Sequence, residues 1–98
     1  MDVATQNALD AAVLQRLLRH FDARKDVQNI ELMILAGFCR NCLSKWYAEA
    51  ARERGVDFDL AAAQQRVYGM PYAQWKAEYQ APATEEQLAR FEAAQKSA

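Results

Sequence analysis

Histidine, cysteine, proline and glycine are scarce in this chain of 98 residues, at one, two, two and three copies. Each scarcity closes a class of function. Zinc normally wants four ligands, and with one histidine and two cysteines the chain has no second CxxC and no HxxxH to complete a site. Three scattered glycines build no phosphate loop or dinucleotide fingerprint, and no nucleophile elbow is present. Charge of one sign is missing too: with net charge −1 and pI near 5.8, the chain lacks the electrostatic footprint for nonspecific binding to nucleic acid or an anionic membrane. No apolar run approaches the roughly 18–20 residues that cross a bilayer, the longest being Leu32 to Phe38. The start Met1-Asp2-Val3-Ala4-Thr5-Gln6-Asn7 shows no basic segment followed by an apolar one, so the expected location is the cytoplasm. There the two cysteines rest as thiols.

What the chain does carry is alanine and other apolar residues, 52% hydrophobic in all, with few breakers between them. That composition predicts an all-α fold of four or five helices in a single domain over 1–98. The core is expected to be modest, because a chain this short buries only about 60–65% of the surface its unfolded form exposes.

Helical spacing marks residues 5–23, where Leu9, Val13, Leu14, Leu17, Leu18 and Phe21 share one face. Asp26 fits as the cap of a second helix from Val27 to about Arg54, so the two form an antiparallel hairpin with a bend expected at Gly37. The first half of this long central helix is apolar around most of its circumference. Ile30, Met33, Ile34 and Phe38 are therefore assigned to a homo-oligomer interface. Gly55 ends the helix, Asp57 or Asp59 caps a third through Tyr68, Gly69 and Pro71 form a stop and a start, and Thr84-Glu85-Glu86-Gln87 has capping-box spacing before a last helix.

Both cysteines fall in Cys39-Arg40-Asn41-Cys42, two thiols at i and i+3 beside cationic and aromatic residues. Three chemistries stay open for them: apolar packing, coordination of a soft-ligand metal such as zinc or iron, and redox reactivity. His20 is the obvious third ligand to Cys39 and Cys42. On an unbroken hairpin it lies level with Ile30, and Cys39 sits roughly 13 Å further along, so a break at Gly37 or a neighbouring subunit is needed to close the site. Redox chemistry of the thioredoxin type wants the motif at a helix N-terminus after a strand, and no strand is legible; Arg40 and Lys45 are the groups that could acidify a thiol.

A second constellation, His20, Arg24, Asp26 and Asn29, surrounds the turn between the first two helices. It reads as a small polar or anion pocket, or as ordinary capping with solvated neighbours. Arg16, Arg19, His20, Arg24 and Lys25 follow one polar edge, but without recognition-helix spacing they do not make a nucleic-acid site.

The segments Arg24-Lys25-Asp26-Val27-Gln28-Asn29-Ile30, Leu35 through Tyr47, Tyr68-Gly69-Met70-Pro71-Tyr72 and Trp75-Lys76 resemble a family of short bacterial proteins known as domain of unknown function 1244. The resemblance implies a small all-helical bacterial protein and carries no activity, cofactor or catalytic residue. With packing surfaces as the strongest signals and no complete catalytic set, the expected role is a noncatalytic, oligomeric binding or assembly module. A metal or thiol site on Cys39 and Cys42 is the alternative.

Overall fold

The computed structural model describes residues 1–97 and folds them into six helices: α1 (Val3–Ala23), α2 (Asn29–Ala36), α3 (Arg40–Glu53), α4 (Leu60–Tyr68), α5 (Tyr72–Tyr79) and α6 (Glu85–Ser97). The all-α expectation holds. Local capping sets most of the ends. Asp2 accepts from the Thr5 N–H at 2.7 Å and Asp59 from the Ala62 N–H at 2.9 Å. Thr84 and Gln87 form the reciprocal box anticipated from their spacing, with Thr84 N–H to Gln87 Oε1 at 2.9 Å and Gln87 N–H to Thr84 Oγ1 at 3.0 Å.

Three expectations need correction. The long central helix is not bent at Gly37 but stopped there, which raises the helix number to six. Gly37 sits in the left-handed region at φ 76°, and its N–H closes on Met33 O at 3.0 Å. The second helix is also capped at Gln28, not Asp26: Glu31 accepts from the Gln28 N–H at 2.8 Å. Tertiary contact dictates the break. On a continuous helix Arg40 would lie about 20 Å along the axis from Val27, yet its guanidinium reaches Val27 O at 2.8 Å.

Nor do α1 and α2 form the framing hairpin. The broadest contact is α3 on α4, with α1 packed chiefly on α4 and α2 on α6. Leu18, Val67, Tyr68 and Trp75 make the buried centre, with Leu14, Leu43, Met70 and Tyr72 against it. Only the second half of α1 joins this core, since residues 1–13 are all exposed. The protruding half stretches the molecule to 47 Å and its radius of gyration to 15.2 Å, against about 13 Å for a compact chain of this length.

Gly37→Ala is expected to cost about 1 kcal/mol, the penalty of a side chain in the left-handed region. An added Cβ there meets nothing within 4 Å, so the loss is of backbone origin alone. The urea midpoint of the variant measures it; an unchanged midpoint would refute the left-handed stop.

Candidate functional site

Arg40 is the first residue of α3 and is 1% exposed. Its Nη1 donates to Val27 O at 2.8 Å and to Asn29 Oδ1 at 3.1 Å, and its Nη2 donates to Arg24 O at 2.9 Å. The guanidinium lies 5.2 Å from the Phe21 ring centre and 4.9 Å from that of Trp75, so two aromatic faces replace the water it has lost. Burial pushes its pKa down from the usual arginine value. The acceptors bound to it are two backbone carbonyls and a side-chain amide, and among the described residues no carboxylate pairs with it directly.

Asn29 extends this contact into a chain of polar groups. Its Nδ2 donates to the Tyr68 hydroxyl at 3.0 Å, which in turn donates to Asn41 Oδ1 at 2.7 Å. Burial raises the Tyr68 phenol well above its ordinary range, which keeps it a neutral donor. A parallel tie runs through Gln28, whose side chain donates to Tyr79 O at 3.0 Å and accepts from the Ala81 N–H at 2.9 Å. That amide fastens the stretch after α5 to the start of α2, and so delivers α6 onto α2.

The polar pocket read at this turn is therefore divided. Asn29 faces inward to Arg40 and Tyr68. Arg24 and Asp26 pair with each other at 3.0 Å on the surface, where the Arg24 side chain holds the Asp26 carboxyl below its usual pKa. His20 is exposed and stands apart from that network. Of the basic row, Lys25 is bound to Asp22 at 2.7 Å and sits over the Tyr79 ring.

The break at Gly37 places the two cysteines at a helix N-terminus, with Cys39 the extended N-cap of α3 and Cys42 in its first turn. Both are free thiols, Cys39 buried and Cys42 half-buried. Burial pushes the Cys39 thiol pKa up and outweighs the lowering effect of the backbone amides at the start of α3. The acidification expected from Arg40 and Lys45 is not what this environment produces, and Cys39 rests as a protonated thiol. Cys42 Sγ meets Met33 Sδ at 3.8 Å. The break does not bring His20 to the pair: no group of three or more His, Cys, Asp or Glu that could hold a metal occurs among the described residues.

An apolar opening lies elsewhere. A cleft of about 560 Å³ runs between α1, α3 and α4, with Leu14, Leu18, Trp46, Tyr47, Phe58 and Val67 on its walls and Arg54 the single charged residue of its lining. Trp46, 53% exposed, also stacks on Phe38 with ring centres 6.0 Å apart. Of the expected interface residues, Ile30, Met33, Ile34 and Phe38 are all half-buried, and α6 packs against α2. Leu35 of that helix is left 86% exposed.

Residue spacing did not disclose the roles of Arg40, Gln28, Asn41 and Tyr68. The available signal was an arginine inside an apolar and aromatic stretch, and its aromatic partners lie 19 residues before it and 35 residues after it.

A small helical protein knotted around a buried arginine is the class that fold and site define. Within that class the chain belongs to the family described as Protein of unknown function (DUF1244), whose model matches residues 27–93. No curated protein matches it.

Arg40→Lys is expected to destabilise the fold by about 3 kcal/mol, because one ammonium cannot serve three acceptors and each one left buried without a donor costs about 1–3 kcal/mol. For a domain of this size that lowers Tm by about 12–24 °C. A thermal melt checks it, and a shift under 4 °C would show that the fork and its stacking contribute little.

Proposed function

We propose that the protein is a cytoplasmic, noncatalytic assembly module that pairs with a second copy of itself through the apolar cleft. The carrying observation is the continuity of that cleft with the protruding half of α1. Leu14 and Leu18 line the cleft, and on the same helix Leu9 and Val13, 48% and 69% exposed, continue the apolar surface beyond the body. An unsupported helix of about 12 residues is marginal in water, so a packing partner for residues 3–13 would stabilise it. In a two-fold pair each α1 lies across the other's cleft, an arrangement that closes on itself. Asp10, next to Leu9, and Arg54 at the cleft carry opposite charges, and a net charge of −1 per chain opposes association only weakly.

The interface expected on α2 is thereby moved. Ile30, Met33 and Ile34 are half-buried on α2, which packs against α6, while Phe38 reaches the edge of the cleft by its stacking on Trp46. Noncatalytic binding is the reading these facts support: the buried polar groups Arg40, Tyr68 and Asn29 are engaged with one another, and the cleft offers apolar contact.

Light scattering of the full chain at tens of micromolar is expected to give twice the 11.1 kDa chain mass. Trp46→Glu and Val13→Asp, both at exposed positions, should each weaken the pair by about 30-fold or more, the scale of a central interface residue, with helical content unchanged. A monomer mass for the wild type overturns the proposal, as does a dimer indifferent to both substitutions.

A further inference from the structure

Sulfur is the one kind of ligand atom that the fold gathers without any evident structural need. Met33 lies in the last turn of α2 and Cys42 in the first turn of α3, nine residues apart, which on a continuous helix is about 13 Å. The left-handed stop at Gly37 folds that distance down to 3.8 Å between Met33 Sδ and Cys42 Sγ. The Cys39 thiol completes the group, one turn before Cys42 as the N-cap of the same helix. Two thiols and a thioether converge there.

We infer that Cys39, Cys42 and Met33 form a binding site for monovalent copper. The donor set selects the metal. Thiolate and thioether sulfur favour Cu(I), whereas zinc normally requires four ligands, and no third His, Cys, Asp or Glu stands with the pair among the described residues. Spacing agrees: three sulfurs in a plane, each about 2.3 Å from a shared first-row ion, stand about 4.0 Å from one another, and the measured pair is at 3.8 Å. Loading converts both thiols to thiolates and releases two protons to solvent. The occupied site then carries one net negative charge. That charge lies at the N-terminus of α3, the end of a helix that favours an anion. Cys42 and Met33 are only half-buried, which leaves the ion a way in.

Anaerobic titration of the full chain with Cu(I), in competition with a chromogenic Cu(I) chelator, tests the site. One copper per chain should be retained, with thiolate-to-copper charge transfer in the ultraviolet. X-ray absorption should show three sulfur neighbours and no nitrogen. Cys42→Ser should abolish retention. Met33→Leu, which conserves volume and is expected to fold, should weaken it by at least about tenfold, a loss that even an outer-shell change produces in a metal site. His20→Ala should have no effect. The proposal is overturned if wild type holds copper no better than Cys42→Ser, if Met33→Leu matches wild type, if nitrogen or His20 proves to be a ligand, or if Zn(II) displaces the copper. Circular dichroism confirms that each variant is folded. Should a cysteine variant lose its helices, Met33→Leu and His20→Ala decide the question between them.

Discussion

A cation buried without a carboxylate is the constraint on which this molecule depends. Moving an arginine side chain out of water is costly, and here the cost is offset by three hydrogen bonds to neutral acceptors and by the faces of Phe21 and Trp75. These partners come from α1, the turn after it, α2 and α5. Arg40 therefore works as a pin through four segments, and α3 cannot begin anywhere else without withdrawing it. The stop at Gly37 follows from that demand, since it lets residue 40 turn back toward residue 27.

Two of the three acceptors are backbone carbonyls, those of Arg24 and Val27. A carbonyl is present whatever the side chain, so Arg40 makes no demand on the identity of residue 24. Of the side chains that the network requires, Gln28, Asn29, Arg40, Asn41, Tyr68 and Trp75 fall within the stretch 27–93 that the family model matches, and Phe21 lies before it. α1 attaches to that unit by Leu18 and Leu14, which need only be apolar and correctly spaced, and by Phe21, whose ring faces the Arg40 guanidinium. This explains physically how a long helix outside the matched stretch joins the same core, and why half of it projects from the body.

What was legible in the sequence was local. Asp59 and the Thr84–Gln87 box cap their helices, Gly55 and Gly69 end theirs in the left-handed region, and the all-α class followed from composition. Each of these signals lies within a few residues of its effect. The division of the central helix was read only as a bend, because a glycine in an apolar run states that a break is tolerable and not that a distant contact requires it. Asn29 was singled out in the right segment, and within the fold its amide serves Arg40 and Tyr68. The apolar girdle of α2 likewise signalled that more than one partner covers it, but not that α6 is one of them, since Gln28 delivers α6 through backbone atoms that leave no side-chain pattern.

The same break explains why chemistry and packing surfaces adjoin in so small a protein. Stopping α2 at Gly37 brings Met33 to Cys42, and it sets Phe38 against Trp46 at the rim of the cleft. Phe38 is the residue before Cys39, and Arg40 is the residue after it. The sulfur cluster thus sits between the aromatic edge of the apolar surface and the cation that pins the core. Anything that holds Cys39 in place restrains both neighbours, and a ligand bound only by the folded chain stabilises the fold as its concentration exceeds its dissociation constant. A single left-handed residue, required by the reach of Arg40, therefore couples the stability of the bundle to the two features of its surface that are free to meet something else.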